Sequence, residues 1–342
     1  MKSVINHRIL SSAAAFLFAA SGIVSAQAVS KSYVQVKAEH PGWIQIPGKL
    51  IRPDCVHQVP SGARIEFGSD GQPTGDVKMN GKVIAHYDSC PEESIDTRYM
   101  GSQGGSSPNP SGYGNGWVEA SQWELSLAST DNIDDVAGYW HVPAPPAESG
   151  ALVFLFNGIE PTGGNWIMQP VLQWGNNGNF GGNYYTFASW LVGPESSGIA
   201  YVSNPINVNP GDLLTGVSQQ NGVTDSTLYY FVTAADGAIG QQTTLNIWSQ
   251  GLHWVQAFAG VLEAYYVTSC SQFPSGLSGG PEETHFLQMQ VAHGYPAFDF
   301  VTPEGFFGAQ YDYFGSGGPQ CNFSVSVSGN TSKSGSTSLL TY

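Results

Sequence analysis

Catalytic residue types are plentiful in this 342-residue sequence, but most of the familiar arrangements of them are missing. Gly276-Leu277-Ser278-Gly279-Gly280 has the spacing of a serine nucleophile elbow. That spacing serves catalysis only at a sharp turn from a strand into a helix. Here it follows Cys270 in a Ser/Gly/Pro stretch, and it reads as a loop. The eight histidines are scattered and form no His-Glu-x-x-His pair, so neither a zinc hydrolase nor another metal site is expected. Neither Asp-Thr-Gly nor Asp-Ser-Gly occurs, and no strand carries two closely spaced carboxylates of the glycosidase kind. No cofactor is expected.

What remains is polar side chains set in apolar, strand-like runs. In Ile167–Trp174 a two-residue period puts Ile167, Gln169, Val171 and Gln173 on one face and Met168, Leu172 and Trp174 on the other. By the same period Glu263 shares a face with Val261, Tyr265 and Val267. A carboxyl group in so apolar a run is costly unless it is paired, protonated or open to water. A solvated sheet face is the bland alternative, and a functional Glu263 is favoured over it. The residues alone do not separate Gln169 from Gln173.

An ordered series of segments does. It runs Trp140-His141-Val142-Pro143, Phe154–Glu160, Ile167–Gln173, Phe187-Ala188-Ser189-Trp190, Pro210-Gly211-Asp212 and Val261-Leu262-Glu263. Order and approximate spacing resemble those of the glutamic peptidases of the scytalidoglutamic type, the eqolisins. The resemblance implies an acid-acting β-sandwich in which Gln169 and Glu263 form the catalytic pair. Ionised Glu263 would activate a water, Gln169 would donate to the developing oxyanion, and protonated Glu263 would then serve the leaving amine. A cleft lined by Trp166, Trp174 and Trp190, with Gln173 and Glu160 beside the pair, is expected to hold a polypeptide substrate. Phe156 stands where the family has Trp, Glu160 near its Asp, and Pro170 after the glutamine in place of Thr. Two alternatives stay open: a neprosin-like peptidase pairing Glu160 with Glu263, and a non-catalytic sandwich that binds glycans or wall polymers.

The elements that must position these residues are strands. Glycine (43) and proline (21) are abundant, and short β-branched and aromatic runs alternate with Gly, Asn, Pro and Asp. The expected fold is all-β, a two-sheet sandwich of jelly-roll or concanavalin-like form after a small N-terminal segment. Examples of expected strands are Ala151–Asn157, Ile167–Trp174, Tyr184–Val192, Thr227–Thr233, Thr243–Trp248 and Gly260–Thr268, with no amphipathic helix beyond the leader. Residues 1–28 read as a signal peptide: Lys2 and Arg8, then an apolar Ile9–Ala20, then small residues at Ser25, Ala26 and Ala28. A secreted, monomeric product with no retained membrane anchor is expected. Export would place the four cysteines in an oxidising compartment, and the pairs Cys55–Cys90 and Cys270–Cys321 are preferred because each joins residues of one segment.

Charge divides the chain. Residues 101–116 are an uncharged Gly/Ser/Pro/Asn stretch that reads as a linker between a segment at 29–100 and a sandwich at 117–342. The segment holds eight Lys and Arg, whereas beyond residue 100 only Lys333 stands against 17 acidic residues. A domain with so few bases stays near neutrality in acid, where ordinary proteins become strongly positive and repel themselves open. The same balance excludes nucleic-acid binding, which needs basic side chains. The basic segment is expected to be a propeptide or cover for the acidic domain, released in acid, or else a small accessory domain.

Overall fold

The computed structural model describes residues 33–90, 93–98, 116–126, 129–163, 166–196, 198–276, 283–301, 321, 323–331 and 335–342. The expected signal peptide, the linker except Gly116, and Leu277–Gly280 of the serine string lie outside these residues.

The chain is all-β, a sandwich of two sheets. The N-terminal part begins with one short helix, α1 (Tyr33–Glu39), which the sequence reading lacked. It continues through β1 (Ile44–Ile46), β2 (Lys49–Ile51), β3 (Val56–Val59), β4 (Ala63–Phe67), β5 (Pro73–Met79), β6 (Lys82–His86) and β7 (Ile95–Asp96). There follow β8 (Gly116–Glu124), β9 (Ile133–His141), β10 (Leu152–Pro161), β11 (Ile167–Asn176), β12 (Gly181–Val192), β13 (Ala200–Ser203) and β14 (Ile206–Val208). The rest are β15 (Leu213–Thr224), β16 (Thr227–Asp236), β17 (Gln241–Ser249), β18 (Trp254–Tyr265), β19 (Glu283–His293), β20 (Asp299–Val301), β21 (Ser324–Thr331) and β22 (Gly335–Thr341).

The first sheet has the order β3-β13-β12-β11-β10-β18-β8, with β14 paired to β12. The second has the order β21-β22-β19-β9-β15-β16-β17-β4-β5-β6, with β20 paired to β19. Alternation along each central strand sends one set of side chains into the core between the sheets. Val153, Leu155 and Ile159 of β10, Met168 and Leu172 of β11, and Leu262 and Ala264 of β18 all point there. The opposite set builds a second apolar cluster on the outer face of the first sheet, with Phe154, Phe156, Val171, Trp190, Val261 and Tyr265. Strands buried on both faces read as nearly continuous apolar runs, which is how β10 and β18 look in sequence.

The N-terminal segment contributes to both layers. Strand β3 pairs in parallel with β13, and β4 pairs in parallel with β17, placing Ile65, Phe67 and Val77 in the inter-sheet core. By contrast β1, β2 and β7 form a separate three-stranded sheet, whose Ile44, Ile46 and Ile51 complete the outer cluster. Cys55 pairs with Cys90 and Cys270 with Cys321, as the sequence suggested, with Cα separations of 5.7 and 5.3 Å. These disulfides are compatible with an extracellular location.

Candidate active site

The outer face of the first sheet gathers the polar residues singled out in the sequence. Gln169 and Gln173 on β11, Glu160 on β10 and Glu263 on β18 are all buried. Register fixes their relation. Phe154 stands opposite both Gln173 and Glu263, so those three form one cross-strand row. The next row on this face is Val171, Phe156 and Val261. Gln169 is beside Gly158, where an added Cβ would lie 3.1 Å from the Gln169 Cβ, and opposite Trp190. Gln169 and Glu263 therefore share a face with one apolar row between them. They are two strands apart and offset by four residues of β10, which puts their Cα atoms about 16 Å apart.

Glu263 is fully buried. Its Oε1 accepts a hydrogen bond from the Gly48 backbone N–H at 2.6 Å, and its Oε2 accepts one from Trp117 Nε1 at 3.1 Å. The Tyr265 hydroxyl also donates to it and lies 2.7 Å from Thr97 Oγ1. Gln45 ties this group further inward, donating to Thr97 Oγ1 at 2.9 Å and accepting from the Tyr33 hydroxyl at 3.0 Å. Burial is the largest influence on Glu263 and pushes its carboxyl from 4.5 up to about 7, against the opposing donors and the Arg98 charge.

The two glutamines differ in what holds them. Gln173 donates to the carbonyls of Gly175 at 2.9 Å and Phe180 at 3.1 Å, and accepts from Asn177 Nδ2 at 3.0 Å. Its amide is spent on the β11–β12 turn. Gln169 has a buried Oε1 with no hydrogen-bond partner among the described residues. A buried amide oxygen left unpaired is a cost that the fold alone does not explain.

The aromatic residues expected to line a cleft separate into two groups. Trp190 is on the outer face, its ring 5.7 Å from that of Phe180. Trp166 and Trp174 belong instead to the core between the sheets, Trp166 edge-on to Phe67 and Trp174 against Tyr185. The physical reason is the strand period: Trp174 has the parity of Met168 and Leu172, the inward set.

Glu160 carries an ion pair across the segment boundary, to an Arg98 guanidinium nitrogen. Arg98 also binds Asp96 at 2.6 Å, Lys49 Nζ lies 3.2 Å from Asp96 Oδ2, and the Asp96 N–H donates to Glu195 Oε1 at 2.7 Å. Burial raises the Glu160 carboxyl and Arg98 works against that rise. The two-residue period had already put Tyr265 on the face of Glu263, but the sequence reading missed Gly48, Trp117, Arg98 and Thr97. Of these, only the Pro47-Gly48 turn between two apolar runs left a local signal.

No protein-family model matches this chain, and no curated protein does. Solved structures do. One is scytalido-glutamic peptidase with a transition state analog inhibitor, at 16% identity and TM-score 0.44, covering 66% of this chain and 98% of that one. A second structure of that peptidase, with a peptide-based transition state analog, matches at 15% identity and TM-score 0.40 over the same shares. SCP-B, a member of the eqolisin family in complex with the tripeptide Ala-Ile-His, matches at 15% identity and TM-score 0.39, again over 66% and 98%. These likenesses are distant ones.

Proposed function

We propose that this protein is a secreted acid endopeptidase of the glutamic type that hydrolyses peptide bonds with Gln169 and Glu263. The observation that carries the reading is the pairing on one sheet face of a buried carboxyl, Glu263, with an amide that has no structural employment at its oxygen, Gln169. A peptide laid over the Val171–Phe156–Val261 row would present its scissile carbonyl between them. Glu263 in ionised form takes a proton from water, and the resulting hydroxide attacks the carbonyl carbon. The Gln169 amide N–H donates to the oxyanion, a stabilisation that needs no titrating group and persists in acid. Glu263 then returns its proton to the leaving nitrogen as the C–N bond breaks.

Casein digestion at about pH 3–4, near the ordinary carboxyl pKa, is the test, using protein matured in its own host. Glu263→Gln and Gln169→Ala are each expected to lose activity; retention of wild-type rates in both eliminates the assignment. Glu160 shares the face and is buried, which keeps a two-glutamate mechanism as the second reading. Loss of activity in Glu160→Gln together with a normal Gln169→Ala selects it. A wild type without peptidase activity that is retained on a polysaccharide column selects the glycan-binding alternative.

A further inference from the structure

We propose that β1, β2 and β7 form a flap that shuts the site, latched through Gly48 to Glu263 and through Arg98 to Glu160, and hinged at the Cys55–Cys90 disulfide. This deepens the peptidase reading by giving that site its regulation, and it rests on that reading only for the activity it controls.

The boundaries come from the topology. From β3 to β6 the N-terminal segment is woven into the two sheets, and removing those strands would strip Ile65, Phe67 and Val77 from the main core. Strands β1, β2 and β7 bond to one another and to neither sheet, and the piece is held to the first sheet just past β7, where the Arg98 carbonyl accepts from the Trp117 N–H of β8 at 2.8 Å. Cys55 lies just after β2 and Cys90 just before β7, so the disulfide joins the end of β2 to the start of β7 at the root of the flap. The whole segment is thus not one detachable cover. Its moving part is the piece distal to the disulfide.

The contacts are those of an inhibitor. The tip is a Pro47-Gly48 turn in which Gly48 has φ +71°, a left-handed conformation that glycine adopts without strain. That conformation holds the Gly48 N–H on the carboxyl group that must activate water, and Ile44 and Ile46 cover the surrounding apolar face. Arg98 fills the space before Glu160, and its stem lies 3.2 Å from where a Gly48 Cβ would be, so tip and latch are packed together.

Acid does not weaken this closure. The charged or titratable groups around Glu263 are Arg98 and Asp96 from the flap strand region, Tyr33 from α1 and Tyr265 from β18, with the Trp117 N–H from β8 and the Gly48 amide. Those around Glu160 are Arg98, Asp96 and Lys49. Burial raises Glu263 and Glu160, so the closed form binds protons more readily than an open one and gains stability as pH falls. Burial also works to raise Asp96, but Arg98 and Lys49 hold it below its ordinary 3.8, so its contribution is lost only below that value. Burial pulls Lys49 down and the Asp96 charge works against that. The expected release in acid is therefore reversed in sign. While the flap is shut at pH 5, Glu263 is protonated and cannot act as a base, so opening has to come from cutting or lifting the flap.

Hydrogen exchange on the intact chain tests this. After correction for intrinsic rates, amides 44–51 are expected to be more protected at pH 4.5 than at pH 7, by roughly 80-fold for the shift at Glu263. Arg98→Ala should speed their exchange at least about tenfold, since it leaves Glu160 buried without its cation. Protection that falls on acidification while β15–β17 keep theirs overturns the proposal, as does an Arg98→Ala chain that folds and exchanges like wild type. The pH series needs no variant, so a failure of Arg98→Ala to fold leaves the test intact. Casein digestion by the Arg98→Ala chain but not by the intact wild type is the expected activity result. If neither digests casein while exchange behaves as expected, the peptidase reading falls and the flap stands.

Discussion

Replacing Glu263 by glutamine removes one titrating group from a sealed site while keeping its size. In the folded chain the carboxyl titrates at about 7, against 4.5 ordinarily, because burial outweighs its donors. The native state therefore binds this proton more tightly than the unfolded chain does. Stability from this group is complete below about 4.5 and is lost as pH rises through 7. At about 1.36 kcal/mol per pH unit, ionised Glu263 costs the fold about 3 kcal/mol at pH 8 and about 1 kcal/mol at pH 5. Glutamine escapes that cost. It also offers one acceptor oxygen to three donors, Gly48 N–H, Trp117 Nε1 and the Tyr265 hydroxyl, and loses about 1 kcal/mol at every pH. The variant should thus be about 2 kcal/mol more stable than wild type at pH 8 and about equal to it at pH 5. Urea denaturation of both chains at pH 5, 6, 7 and 8 measures the difference. A difference that is flat with pH, or that favours wild type more at pH 8 than at pH 5, refutes the buried, sealed Glu263.

Other perturbations follow the same geometry. Gln173→Ala removes three hydrogen bonds at the β11–β12 turn and should lower stability by about 2–3 kcal/mol, whereas Gln169→Ala should cost less than about 1 kcal/mol in urea denaturation while abolishing casein digestion. Gly158→Ala sets a methyl 2.7 Å from the Met168 carbonyl oxygen and against Gln169; a loss of about 1–3 kcal/mol and a fall in kcat larger than any rise in KM are expected. Asp135, raised to about 7 by burial and then by the Asp134 charge, adds to acid stability; Asp135→Asn should flatten the stability difference between pH 5 and pH 8 by about 2–3 kcal/mol.

The strands were legible because their periodicity is local. Ile167–Trp174 became β11 at Ile167–Asn176, and Thr227–Thr233 became β16 at Thr227–Asp236, lengthened where ladder pairing continues into the turns. The same period put Gln169 and Gln173 on one face, and put Trp174 on the other. Trp166 immediately precedes β11 and has the parity of Met168, Leu172 and Trp174, so the same period carried one residue back sends it inward, against Phe67. What closes the site was hidden. The bond from Gly48 to Glu263 spans 215 residues, and the bond between Trp117 and Glu263 spans 146. No window on the sequence contains both partners, so turn chemistry could announce the Pro47-Gly48 hairpin but not what it touches.

Charge, by contrast, was legible along the whole chain, and the structure gives it a more specific consequence. A sandwich with one lysine beyond residue 100 has almost no cations of its own with which to pair a buried carboxylate. Glu119, Asp135 and Glu263 are all buried in it, and burial raises each of them, so protonation relieves them and acid favours the fold. Among the described residues, Arg98 pairs with a buried carboxylate there, lent to Glu160 by the segment that covers the site. The Lys49–Asp96, Arg64–Glu66 and Lys78–Glu66 pairs stay within that segment. Uneven charge along the chain and closure of the site thus have one physical root. The acidic domain withholds bases from its own core, and the bases that face Glu160 here, Arg98 and Lys49, arrive on the flap.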